Sequence, residues 1–221
     1  LPLNKGDFVI DIKADLEEAL AGFKWEVIGL LLEDQRVIDV PSDSRAISAI
    51  FEQLVIERIK PLADKYDCIL EEGGGREYPD ITLRDIPGID GKIAIDVKTS
   101  RKKSPNTIGG FTIGTYLGYF RTPTQKVGTI RYPYADYVQH WIVGLCYNFE
   151  TFEEQVADVV EKRFRITDID VIVQEKWRIA SRQTGSGTTK HMRSITNIED
   201  LKLGRWEFAS QEEFLEYWRN Y

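Results

Sequence analysis

The stretch YPDITLRDIPGIDGKIAIDVKTS, at 78–100, constrains this chain more than any other. Two alternating apolar runs flank the turn-rich PGIDG at 87–91, so the segment is predicted to be a β-hairpin. If Ile86 faces Lys92, then Asp80 falls opposite Lys98 and Thr82 opposite Asp96. Side chains alternate faces along a strand, so positions 80, 82, 96 and 98 share one face. The other face carries Ile81 against Val97 and Leu83 against Ile95, an apolar stripe suited to a core. One face would be core, and the other would gather two carboxylates and an amine.

Such a gathering has chemical consequences. Neighbouring carboxylates repel, and one has its pKa raised unless a cation intervenes. Mg²⁺ takes oxygen ligands from one or two carboxylates and leaves positions for water and a phosphate oxygen. A lysine beside it can hold or deprotonate an attacking water and offset charge growing on phosphorus. Taken alone, an Asp-x-Lys on a strand is more often a solvated polar face, and at this level that alternative stays open.

The remainder of the chain fits a globular domain around this hairpin. Its 221 residues are enough for one large domain, and 42% are hydrophobic against 29% charged. Residues 11–23 read as an amphipathic helix with Leu16, Ala19, Leu20 and Phe23 on one face. Residues 25–40 read as two strands about a turn at Glu33-Asp34-Gln35. A long helix is expected over 42–67, capped by Ser42 or Asp43 and bent or broken at Pro61. Its apolar face would be Ile47, Ile50, Phe51, Leu54, Ile59 and Leu62. A strand is expected at 68–72, a second helix at 135–149, a strand at 169–181, a polar loop at 183–193 and a closing helix at 210–221. Strands and helices interleave irregularly, which favours an α+β fold with a mixed sheet over a doubly wound one.

Composition excludes several functions. Cys68 and Cys146 sit among apolar neighbours and read as small buried thiols in a reducing compartment. With two histidines and no CxxC, a zinc site is not expected. The longest apolar runs, 27–32 and 141–146, are too short to span a bilayer, so no membrane association is expected and a cytoplasmic location is. A net charge of −7 argues against indiscriminate coating of nucleic acid, although a cleft can be locally basic.

Pro79, Asp80, Asp96 and Lys98 form the pattern of the PD-(D/E)xK nucleases. Other segments stand in the order found in EcoRV-like type II restriction endonucleases. They are SDSR (42–45) with IFE (50–52), YPD (78–80), KIAIDVKT (92–99), GGFT (109–112), YPYADYVQHWIVG (132–144), VQEKWRIA (173–180), GSGTT (185–189) and the terminal FLEYWRNY. The chain resembles that family from its first helix to Tyr221.

The resemblance implies a restriction-endonuclease-like α+β fold, a central mixed sheet flanked by helices, in one domain over 1–221. Within it, about 25–40 would serve dimerisation, about 68–100 would be the catalytic hairpin and about 169–195 the DNA-recognition strand and loop. Asp80 and Asp96 would be metal ligands, Lys98 the catalytic lysine, and Glu52 an acidic helix residue assisting metal or water. Thr99 would lie along the DNA backbone. Gly185, Ser186, Gly187, Thr188, Thr189 and Lys190 would belong to the major-groove loop, where glycine lets the backbone approach base edges. Gly73, Gly74, Gly75 and Arg76 would stand near the minor groove.

The activity implied is Mg²⁺-dependent hydrolysis of double-stranded DNA at a short palindrome by a homodimer, with Mn²⁺ as a substitute metal. A blunt cut with 5′-phosphate ends and a cognate DNA methyltransferase in the same system follow from the same likeness. The chain departs from the family in places. The asparagine that follows the loop glycines is absent, with Thr188 in its place or a deletion there. Arg45 replaces a lysine at the start of the long helix, and arginine cannot serve as a base at neutral pH. A structure-specific repair or recombination nuclease, and a catalytically silent DNA-binding protein, are the alternative readings.

Overall fold

In the computed structural model the described residues are 10–115, 118–156, 159–184, 191–205 and 207–221. The main sheet has six strands. β3 (Ile69–Glu72), β4 (Ile81–Arg84), β5 (Lys92–Ser104), β8 (Tyr137–Val156) and β9 (Val159–Glu175) lie side by side in that order, and β6 (Thr107–Ile108) pairs with β5. All neighbours are antiparallel except β5 and β8, which run parallel, so the sheet is mixed as expected. A three-stranded sheet of β10 (Ala180–Thr184), β11 (His191–Ser194) and β7 (Thr112–Thr115) lies apart from it. β1 (Leu30–Leu31) and β2 (Val37–Ile38) make a separate two-stranded ribbon.

Two cores sandwich the main sheet. On one face, Ile81, Leu83, Ile93, Ile95 and Val97 meet α1 (Ile12–Leu20), α2 (Ser44–Ile59) and α3 (Pro61–Tyr66). Leu16 and Leu20 of α1 are buried there as the periodicity requires, with Ala19 and Phe23 partly buried. On the other face, Ala94, Ile142, Cys146 and Ile172 pack against Phe111, Ile113 and Met192. Phe214 and Trp218 of α6 (Gln211–Asn220) and Leu201 of α5 (Ile198–Leu203) complete that core.

Capping chemistry sets the helix limits. Asp43, rather than Ser42, caps α2 by accepting from the Arg45 N–H, and Ser210 caps α6 by accepting from Glu213 N. Pro61 opens α3 at its first turn, where a missing N–H costs nothing, so the long helix divides there. The buried face of α2 is Ile47, Phe51, Val55, Ile56 and Ile59, while Ile50 and Leu54 are only partly buried.

Three sequence expectations need correction. The predicted helix at 135–149 is strand: after a 3₁₀ turn at Tyr134–Asp136, β8 runs on to Val156. Its centre is buried on both faces, with Trp141, Val143, Leu145 and Tyr147 in one core and Ile142 and Cys146 in the other. A strand buried on both sides shows a continuous apolar run and loses its alternation. The strand expected at 169–181 starts earlier, at Val159, and is interrupted by the one-turn helix α4 (Lys176–Ile179) before β10. The hairpin register is also shifted: Ile81 pairs with Ile95, Thr82 with Ala94 and Leu83 with Ile93. That is a slide of two residues, which keeps every side chain on its predicted face.

Cys146 is buried and Cys68 half-buried, and both are free thiols. Among the described residues, no helix is long and apolar enough to cross a membrane.

Candidate active site

The face of the hairpin that carries the carboxylates is not open surface. Thr82 is fully buried and its hydroxyl is 3.1 Å from that of Tyr137, and Asp96 is 3% exposed. β4 starts immediately after Asp80, and the residues on either side of Asp80 are pinned. The Tyr78 N–H donates to the Thr129 carbonyl at 2.9 Å, and the Arg131 N–H donates to the Tyr78 carbonyl at the same distance. Gly73 N–H donates to the Asp80 carbonyl at 2.6 Å, and a Cβ on Gly73 would stand only 2.6 Å from the Pro79 carbonyl oxygen. Glycine is therefore needed at 73 for close backbone approach. The first residue of the glycine run supports the Asp80 segment.

Lys98 organises the site. Its Nζ lies 2.6 Å from Asp96 Oδ2 and 3.8 Å from Asp80 Oδ2, and it donates to the Val97 carbonyl at 3.1 Å. Asp80 Oδ2 also accepts from the Val97 N–H at 2.6 Å. Burial, reinforced by Asp96, pushes the Asp80 carboxyl up to about 8 against the pull of Lys98 and the Val97 N–H. Burial works against the Lys98 charge, but Asp96 and Asp80 outweigh it and raise its pKa. One amine thus stays an ammonium between two carboxylates that repel one another.

Glu52 stands on α2, and Thr99 on β5 directly after Lys98. Ser48 and Glu52 are one helical turn apart on α2, so they share a face. The Ser48 hydroxyl is 2.6 Å from the Thr99 hydroxyl, which ties α2 to β5 just after Lys98. Burial raises the Glu52 carboxyl, with Lys98 opposing and Asp96 adding to the shift. Glu52 therefore senses the same charges. Among the described residues, no three His, Cys, Asp or Glu side chains converge closely enough to hold a metal ion by themselves.

A hard divalent ion such as Mg²⁺ asks for less than such a cluster, since water and substrate phosphate complete its shell. Asp80 and Asp96 suit that requirement, with oxygens that both lie within 4 Å of the Lys98 amine.

Comparison with known proteins decides the family. The model of the restriction endonuclease EcoRV family matches residues 21–221. The type II restriction enzyme EcoRV of Escherichia coli is 33% identical over 224 residues, covering 96% of this chain and 89% of that protein. This chain belongs to the EcoRV restriction endonuclease family. It is accordingly a site-specific deoxyribonuclease of the type II restriction class, with the mixed α+β fold of EcoRV-like endonucleases. Enzymes of the EcoRV kind generally use divalent metal ions.

The structure distributes the other residues expected to act in an EcoRV-like enzyme as follows. The loop residues Gly185, Ser186, Gly187, Thr188, Thr189 and Lys190 lie outside the described residues, but β10 and β11, which flank them, pair antiparallel. Arg76 is exposed on a turn beside Gly75. The base of that turn is held by Glu77, which accepts from Gly74 N–H and pairs with Arg131 at 2.7 Å. Arg45 is exposed, and its guanidinium binds the cap residue Asp43 through two nitrogens, at 3.1 and 2.9 Å. Sequence reasoning missed the layer behind the carboxylates, where Tyr78, His140 and Lys176 are hydrogen-bonded in series. Lys176 stands beside Glu175 and Arg178 in a mixed stretch, so nothing in the local sequence marks it as buried.

Proposed function

We propose that this enzyme is a Mg²⁺-dependent homodimer that hydrolyses both strands of DNA at a short palindromic site. The observation that carries this reading is the placement of Lys98 against both Asp96 and Asp80 on one face of the hairpin. Asp80 and Asp96 would hold the metal. A divalent cation there would lower the pKa of a bound water and offset charge on the phosphate under attack.

The chain's own residues divide the remaining work. Lys98, kept charged by its two carboxylates, donates hydrogen bonds toward the scissile phosphate and the attacking water and stabilises developing negative charge. The Val97 N–H fixes one oxygen of Asp80 and leaves the other for the metal. Glu52, with its raised carboxyl, orients water at the edge of the site. Thr99, Arg76 and the 185–190 loop would contact DNA, with the loop in the major groove and Arg76 at the minor groove. Mn²⁺ would substitute for Mg²⁺. Ends would be blunt with 5′-phosphates, and a cognate methyltransferase would protect the host's own sites.

Dimerisation draws support from the β1–β2 ribbon. Ile28, Leu30, Leu31, Val37 and Ile38 are exposed there, at 62, 38, 66, 42 and 44%. A clustered apolar surface of this kind marks an interface. A two-fold dimer would read a two-fold sequence. Incubating purified protein with plasmids of known sequence, with and without Mg²⁺, tests the whole reading. Discrete Mg²⁺-dependent fragments with shared palindromic ends support it. A gel shift that persists in Mg²⁺ with no cleavage replaces it with a silent DNA binder.

A further inference from the structure

Behind the carboxylates lies a buried lysine that the reaction described above does not use. Lys176 opens α4, directly after β9, and is 1% exposed. Its Nζ stands 4.3 Å from the centre of the Tyr78 ring and 5.7 Å from the centres of Tyr119, Phe120 and Tyr134. Aromatic faces attract a cation. Among the described residues, no carboxylate is paired with this ammonium; it donates to the Tyr78 hydroxyl at 3.2 Å.

The box has no room to spare. Gly114 closes it with φ +123°, and a Cβ there would come within 2.4 Å of the Tyr119 hydroxyl and 3.2 Å of Lys176 Nζ. The Tyr78 hydroxyl is also 2.8 Å from His140 Nδ1. Burial keeps His140 neutral, and the Tyr78 oxygen that meets its Nδ1 also accepts from Lys176. Burial likewise pulls the Lys176 pKa down to about 7, with Asp96 opposing the fall.

An amine buried without a carboxylate partner destabilises a fold. Packing therefore gives no reason for a lysine here, where a methionine would fill similar space. What the lysine grips is Tyr78, two residues before Asp80. The Tyr78 backbone is already hydrogen-bonded to Thr129 and Arg131. The side-chain bonds to Lys176 and His140 fix its remaining freedom.

We propose that Lys176 is a positioning residue for DNA cleavage: through the Tyr78 hydroxyl it fixes the segment that aims the Asp80 carboxylate at the Val97 N–H and Lys98. The proposal rests on the assignment of Asp80 to the active site, made above.

The test compares Lys176→Met, Tyr78→Phe and the double variant with the parent enzyme as full-length dimers. Both substitutions keep bulk and remove one side of the Lys176–Tyr78 bond. Two quantities are measured: steady-state cleavage of a cognate oligonucleotide in Mg²⁺, and amide hydrogen exchange of the metal-free protein. Each single variant is expected to lose about tenfold in kcat with KM within about twofold of the parent. The double variant is expected to be no slower than either single one, because both remove the same link. Val97 amide exchange should accelerate by about tenfold while that of Ile95 on the same strand is unchanged.

Parental kcat in Lys176→Met, losses that multiply in the double variant, or unchanged Val97 exchange would each overturn the proposal. If Lys176→Met does not fold, Tyr78→Phe alone decides through the same two readouts. If the parent cuts no DNA, the functional reading fails, and Val97 exchange still tests the positioning claim.

Discussion

The Asp80 carboxylate accepts a 2.6 Å hydrogen bond from the backbone N–H of Val97, the residue between Asp96 and Lys98. One bond thus couples the two strands of the hairpin at the point where the charged groups meet. The same Asp80 oxygen lies 3.8 Å from the Lys98 amine, which gives its closer contact, 2.6 Å, to Asp96.

Asp96 is the more deeply buried carboxylate, and its ammonium partner Lys98 holds its geometry. Asp96→Ala is expected to reduce Mg²⁺-dependent cleavage by about a thousandfold or more. The fold and dimer should persist. Cleavage assays beside circular dichroism and sedimentation of the same sample check both halves of the statement.

Asp80 should make the metal-free protein pH-sensitive. Unfolded, its carboxyl ionises near 3.8; folded, burial raises it to about 8. Between those values the folded state holds a proton that the unfolded chain has released, so stability falls as pH rises through that window. Asp80→Asn removes the penalty. In chelator at pH 8 the variant is expected to be more stable than the parent and to melt at a higher temperature. At pH 4 the two should melt together. Thermal melts across pH 4–9 read this directly, and added Mg²⁺ should narrow the gap by stabilising the parent alone.

Glu52 faces the same charges but joins no three-carboxylate cluster. Glu52→Gln, which keeps shape and hydrogen bonding, is expected to slow cleavage by about tenfold, far less than Asp96→Ala. The comparison of kcat between the two variants, with Mg²⁺ varied, measures it.

Leu31 and Ile38 sit on the exposed β1–β2 ribbon, while Val40 beyond it is buried. Leu31→Glu combined with Ile38→Glu is expected to weaken dimerisation by at least about tenfold without unfolding the subunit. Sedimentation velocity over a concentration series would show the shift to monomer.

Much of the site was readable because strand alternation fixes faces. Asp80, Thr82, Asp96 and Lys98 fall on one side of the hairpin, and Ile81, Leu83, Ile95 and Val97 on the other. The register was not readable, since a slide of two residues leaves both faces intact. β8 was mistaken for helix because two cores bury it at once and erase alternation through Trp141–Tyr147. Caps such as Asp43 and Ser210 are local chemistry and were within reach of the sequence. The box around Lys176 was not, because its walls come from residues 78, 119, 120 and 134, brought together only by the tertiary fold.

The most direct measurement is a plasmid digest by wild-type protein and Asp96→Ala, run side by side in Mg²⁺ and in chelator, with the ends sequenced. The expected result is discrete fragments from wild type in Mg²⁺ alone, ending within one shared palindrome, and intact plasmid in the other three reactions. Cleavage by the Asp96→Ala protein at the wild-type rate, or none by folded, dimeric wild type in Mg²⁺ or Mn²⁺, would contradict the site assigned to Asp80, Asp96 and Lys98.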